Sequence, residues 1–351
     1  MTISSIAHEE MTDWEFCCQS LEEVSRTFTQ PIQFLPPEQK KALTIGYLLC
    51  RVVDTVEDCV GIDAMERDRL FSLFQSVLRS EAAPEELIVA FENIEIKPTE
   101  ARLMQGLSRV MNVFTSQSSS TCAATIRWVS EMADGMRLYS RRNEGREFTA
   151  VMSLADLERY CFYVAGTVGH LITDLYSDAL GDAQVEIDLR EYTEGFGLGL
   201  QMVNIVKDIT DDFERGVCYI PRQICRAQGF EPEEILEPQH REAALNAVAV
   251  VIDRAGDHLD AALEYTLAIP AEHHQLRLFC LLPLWMAVET LELARENVDV
   301  LIPDHPVKIT REIVGKVIAD CGRHCRDDQA LRDAYLELKR VAAARREAQK
   351  N

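Results

Sequence analysis

This sequence predicts an all-α protein. Apolar residues recur at helical spacing through most of the 351-residue chain, no series of short alternating strands is present, and two long apolar segments each end in a cluster of acids. A hydrophobic content of 47% supplies a sizeable core for this length. No shift in composition marks a boundary, so a single domain over residues 1–351 is expected, with its motifs between about 20 and 320.

The elements follow in order from local signals. Pro36-Pro37-Glu38 starts the first acid-ended helix, because proline suits a first turn and an acid suits the positive helix end. Residues 63–79 read as an amphipathic helix and 84–97 as a looser connection, before Thr99 caps another helix. Residues 116–121 read as a polar loop followed by a helix through Tyr139, and 141–145 as a turn. Ser153 and Asp156 have capping-box spacing ahead of a long run that holds Tyr160, Tyr163, Val164 and Leu171. Gly195, Gly197 and Gly199 precede the second acid cluster. With Phe196, Leu198 and Leu200 between them and no strand before them, they read as close helix packing rather than a nucleotide loop. Gly216 and Pro221 end that helix. Later helices are expected over 241–268, 275–296 and 310–320, with a polar C-terminal helix at about 328–349.

Charge and cysteine usage exclude several classes. The net charge of −22, from 36 basic and 58 acidic residues, argues against a nucleic-acid partner, which calls for a basic face. The eleven cysteines are scattered without a CxxC pair, which speaks against a zinc ribbon or disulfide scaffold and for a reducing compartment. The first residues lack the basic-then-apolar layout of a signal peptide, and the longest apolar run, 278–288, is about half of a membrane span. A cytoplasmic protein without a transmembrane segment is expected.

The acid clusters carry the chemistry. Asp54 and Asp58 are four apart, as are Asp208 and Asp212, so on a helix each pair forms one acidic face. Unpaired carboxylates beside so much apolar surface are costly, and a cation is expected with them. Oxygen donors suit magnesium, and no histidine or cysteine clusters with them to suggest zinc. Bases interleave: Arg51 lies a turn before Asp54, Lys207 adjoins Asp208, and Arg215 lies a turn after Asp211. Acids for metal and bases for phosphate suggest a diphosphate site, where cations would neutralise a departing diphosphate.

Four segments in order, Ser25-Arg26-Thr27-Phe28, Asp54-Thr55-Val56-Glu57-Asp58, Tyr160-Cys161-Phe162-Tyr163-Val164-Ala165-Gly166, and the run from Gln201 through Asn204 and Lys207 to Asp212, resemble the squalene/phytoene synthase family. These are all-helical head-to-head prenyl transferases, and the resemblance spans roughly residues 20–320. It implies an isoprenoid-synthase helical bundle with a central apolar cavity. It also implies that Asp54, Asp58, Asp208 and Asp212 serve catalysis by holding Mg2+, with Glu57 and Asp211 beside them. Arg26, Phe28, Tyr47, Arg51, Gln201, Asn204, Lys207 and Arg215 would bind the prenyl diphosphates. Tyr163 would act in the first half-reaction, and Phe279 would shield a carbocation. Ser25, Lys308 and Arg311 would contact NADPH.

The activity so implied is condensation of two farnesyl diphosphates to presqualene diphosphate, followed by NADPH-dependent reduction to squalene. Dehydrosqualene, phytoene or hydroxysqualene formation without reduction stays open, as does a non-catalytic helical assembly factor. The sequence departs from the family in four places. Lys207 stands where arginine is common, and Thr310 stands where a base is expected. The 215–221 segment resembles the phytoene side. The C-terminal membrane anchor of eukaryotic members is not in this sequence, although peripheral membrane contact for product release is compatible with it. Oligomeric state is open.

Overall fold

The computed structural model describes residues 11–25, 27–59 and 61–349, and helices carry almost all of its regular structure. Six long ones frame it: Pro37–Asp58, Ser119–Asn143, Ala183–Lys207, Arg241–Ala268, His274–Ala294 and Asp328–Gln349. Their starts obey local chemistry. Pro37 occupies the first turn of its helix, while Ser118 and Asp182 accept backbone N–H groups at the starts of the second and third.

The two acid-ended helices, Pro37–Asp58 and Ala183–Lys207, are joined through neighbours. The Thr167–Leu180 helix packs against both, and the Ser119–Asn143 helix packs on the first and on the turn 162–166, which in turn lies on the second. On its other side Ala183–Lys207 lies along Arg241–Ala268, the most extensive helix pair of the fold. Close approach explains the glycines there. A Cβ at Gly195 would stand 2.7 Å from that of Ala261, and one at Gly199 would stand 2.9 Å from Leu259 Cδ2.

Several local expectations need correction. The stretch 84–97 contains a seven-residue helix, Pro84–Ala90, because Pro84 and the acids behind it start one. The next helix, Pro98–Gln105, is preceded by Lys97 rather than capped by Thr99, since Pro98 already occupies its first turn. The polar loop at 116–121 is shorter than expected, with Ser118 as its cap, and the helix it starts runs through Asn143 before Gly145 turns the chain with φ of +69°.

The run after Ser153 is not one regular helix. Leu154–Cys161 gives way to a π turn, Phe162–Gly166, closed by the Thr167 N–H to the Phe162 carbonyl, and then to Thr167–Leu180. Nor does the second acid helix run unbroken to Gly216. It stops at Lys207, Asp208 leaves helical geometry at φ −110° and ψ 20°, and a short helix Ile209–Glu214 follows. A parallel pairing of Thr149–Ala150 with Val217–Cys218 then ties the chain beyond that helix to the loop before Ser153.

Arg277 is 1% exposed and holds three carbonyls, of Ile269 at 2.7 Å, Cys325 at 3.3 Å and Leu267 at 3.3 Å, besides the Asp328 carboxylate at 2.7 Å. It therefore pins the Arg241–Ala268, His274–Ala294 and Asp328–Gln349 helices at one corner. Removing it strands buried acceptors, so Arg277→Ala should cost roughly 2–4 kcal/mol in urea unfolding monitored by circular dichroism. Arg277→Lys should recover only part of that, because an ammonium cannot serve three carbonyls in a planar fork.

Candidate functional site

The two acid clusters face one another across a cleft of about 760 Å³. Its rim on one side is Asp54, Glu57 and Asp58, and on the other Asp208, Asp211 and Asp212, with Arg51, Lys97, Lys207 and Arg215 among them. Arg215 joins the two sides, pairing with Asp212 on its own segment and reaching Asp58 at 3.4 Å across the cleft. Lys207 pairs with its neighbour Asp208, and Arg51 lies 3.5 Å from Asp54 while donating to the Tyr47 hydroxyl at 3.1 Å. Gln201 and Asn204 project from the same helix as Lys207, and Met136, Val164 and Ile205 add apolar surface.

Accessibility grades the carboxylates. Asp212 is 8% exposed at its side chain, Asp54 26%, and Asp58 and Asp208 39% each, and Asp211 is exposed too, so Asp58, Asp208 and Asp211 are more open to an incoming ligand than Asp54 and Asp212. Burial, with the neighbouring carboxylates adding to it, pushes Glu57 up to about 8 and Asp54 up to about 6, against the opposing pull of nearby guanidinium groups. Burial likewise raises Asp212 to about 6 despite its bond to Arg215. For Arg51 burial works against the charge, but Asp54 and Tyr47 outweigh it and hold the guanidinium protonated.

This donor set fits a hard divalent cation: carboxylate oxygens on two facing elements, with room between them for phosphate oxygens and water. The buried Nε of Arg51 has no hydrogen-bond partner among the described residues, which fits an anion arriving beside it. A separate trio, Glu234, Glu237 and His240, brings three ligand atoms within 4.8 Å of one another, but it sits in the turns leading into the Arg241–Ala268 helix and not in the cleft.

Other expected residues fall elsewhere. Tyr47 and Phe28 stand behind Arg51 with ring centroids 5.8 Å apart. Tyr163 lies in the π turn with its ring over Gly135 and edge-on to Tyr139 at 6.4 Å, and it is the adjoining Val164 that lines the cleft. Phe279 is 2% exposed in the core, edge-on to Tyr176. Arg26 lies outside the described residues. Ser25 accepts the Phe28 N–H at 3.0 Å, and Lys308 and Arg311 stand exposed at the approach to the Arg311–His324 helix.

Sequence reasoning missed Lys97, Tyr160 and Tyr219 as cleft residues. The two tyrosine rings stack at 4.4 Å, and the Tyr219 hydroxyl donates to that of Tyr160 at 2.8 Å. Tyr219 arrives because Gly216, at φ of +76° and with Glu147 O only 2.6 Å from where a Cβ would be, lets the chain turn into the two-residue pairing just before it.

Comparison with known proteins places these features in company. A family model described as "Squalene/phytoene synthase" matches residues 21–312. Among curated relatives, the squalene synthase of Cyberlindnera jadinii is 27% identical over 301 residues, covering 81% of this chain and 62% of that protein. The squalene synthase of Schizosaccharomyces pombe is 28% identical over 294 residues, covering 81% and 60%. The chain thus spans about three fifths of the length of these relatives. A solved structure described as the complex of TcSQS with the ligand E5700 superposes with a TM-score of 0.81 at 25% identity, covering 97% of this chain and 92% of that one. A dehydrosqualene synthase, at TM-score 0.63 and 18% identity over 89% and 96%, shares the fold.

The raised carboxylates set a pH dependence. Asp54, Asp212 and Glu57 hold protons in the folded protein that the unfolded chain releases near pH 4, so their contribution to stability is complete at low pH and is lost as pH rises through about 6 and then about 8. In chelator-treated protein, Glu57→Gln should therefore melt about 2–4 °C above wild type at pH 8, with the gap closing toward pH 5, by differential scanning calorimetry.

Proposed function

The chain belongs to the squalene/phytoene synthase family, and from that premise we propose that it condenses two farnesyl diphosphates head to head and reduces the resulting presqualene diphosphate to squalene with NADPH. The observation that carries this reading is the pair of facing acid clusters, interleaved with bases and bridged by Arg215, with Met136, Val164 and Ile205 in the same lining. The relatives named squalene synthase support the reductive end.

The chain's own residues divide the work by charge and depth. Asp54, Asp58, Asp208 and Asp212, with Glu57 and Asp211 beside them, would hold Mg2+, which supplies neutralisation of diphosphate charge as the carbon–oxygen bond breaks. Arg51, Lys207 and Arg215 bind phosphate oxygens, and their present ion pairs keep them aimed into the cleft. Gln201 and Asn204 offer neutral hydrogen bonds below them. Met136, Val164 and Ile205 begin the apolar wall that keeps water from the allylic cation. Tyr163, one residue from that wall, would act on the cation in the first half-reaction.

NADPH would deliver hydride to close the sequence, and no residue of this cleft is assigned to holding it. No helix among the described residues is long and apolar enough to cross a membrane. We read the protein as cytoplasmic, with peripheral membrane contact when product leaves.

Purified protein given farnesyl diphosphate, Mg2+ and NADPH should yield squalene by mass spectrometry. An unreduced thirty-carbon product with NADPH present would reassign it to the dehydrosqualene or hydroxysqualene side. Asp54→Ala and Asp208→Ala should each lower Mg2+-dependent diphosphate release by about 10²–10³-fold with unchanged circular dichroism. Full activity in both variants would remove the acid clusters from the chemistry.

A further inference from the structure

The π turn that carries Tyr163 is gripped from two sides. On one side a Cβ added at Gly135 would stand 2.0 Å from Tyr163 Cγ and 2.4 Å from Tyr163 Cβ. Because the obstructing atoms include the root of the side chain, a change of rotamer does not relieve the overlap, and the two backbones would have to part. On the other side a Cβ added at Gly197 would stand 2.4 Å from Ala165 O and 2.8 Å from Gly166 Cα. The Phe162–Gly166 turn is therefore unable to retreat from the Ser119–Asn143 helix without running into the Ala183–Lys207 helix.

Residues next to these contacts line the cleft. Met136 follows Gly135, Val164 follows Tyr163, and Gln201 stands one turn beyond Gly197. The spacing of the three segments is thus also the spacing of Met136, Val164 and Gln201 in the cleft lining. Segments held by contact on both sides have a backbone spacing that side-chain rotamer changes do not alter.

We propose that Gly135 and Gly197 act as a gauge for the hydrocarbon: by clamping the π turn they set the bore between Met136 and Val164, and so limit the length of prenyl chain the cleft accepts. This rests on the prenyl-diphosphate reading above. Both glycines are positioning residues. A methyl group at position 135 pushes the Ser119–Asn143 helix outward, because the turn has nowhere to go, and Met136 moves with it. The bore widens and longer chains gain.

The test is calorimetric titration with farnesyl and geranylgeranyl thiolodiphosphates in Mg2+, with inorganic diphosphate as the control for an intact acid rim. Gly135→Ala should raise the twenty- to fifteen-carbon affinity ratio by about tenfold, the scale of one methylene gaining room, while leaving inorganic diphosphate affinity within twofold. The shift should vanish in a Tyr163→Gly background, where the ring and Cβ that transmit it are gone. A merely structural effect would persist there and would weaken all three ligands together. Should Gly135→Ala fail to fold, Val164→Ala and Met136→Ala open the same bore directly and should raise the same ratio. A ratio within twofold of wild type, or a shift toward the shorter chain, overturns the gauge. Wild-type protein that binds inorganic diphosphate but neither prenyl probe overturns the parent reading, and the gauge with it.

Discussion

Like charges must be kept close without being allowed to drive their supports apart, and that repulsion across the cleft is what the rest of the fold answers. Seven carboxylates share one opening, and the bases among them are spaced so that most carboxylates have a guanidinium or ammonium nearby. Arg215 matters most, because it is bonded to both rims at once. Exposed pairs of this kind contribute little to stability on their own. Rigidity has to come from elsewhere, and it comes from the apolar faces of the Pro37–Asp58 and Ala183–Lys207 helices, whose inward residues are nearly all buried.

That division explains what the sequence disclosed. The long helices were legible because burial on one face leaves a period in the residues: Leu48, Leu49, Val52 and Val53 are each completely buried or nearly so, and they lead directly into Asp54. The acids and most of the bases could be placed on the cleft because they sit on those helices or directly follow them in sequence. Lys97 was not, since it belongs to a connection whose residues carry no period, and its approach to the cleft depends on how the Pro98–Gln105 helix packs on Pro37–Asp58.

Tyr219 and the break at Asp208 were hidden for a different reason. Nothing in Lys207-Asp208-Ile209 breaks a helix by propensity, with neither glycine nor proline present, so the interruption is a tertiary effect. The π turn is similar: Phe162 to Gly166 read as ordinary helix, and only the crowding between Gly135 and Gly197 shows why an extra residue is accommodated there. Phe279 was placed by resemblance, and its burial among core rings gives no geometric sign of a role in the cleft.

The interruption at Asp208 makes the cleft mechanically unequal. Asp54 and Asp58 ride on an unbroken 22-residue helix, a stiff rod embedded along its length. Asp211 and Asp212 ride on a six-residue lever, held behind by the Asp212 N–H to Asp208 carbonyl bond and ahead by the two-residue pairing at Val217–Cys218. One jaw is an anvil and the other a short span between two ties, so the second side's grip on a ligand rests on a few residues while the rod supplies the frame against which that grip is set.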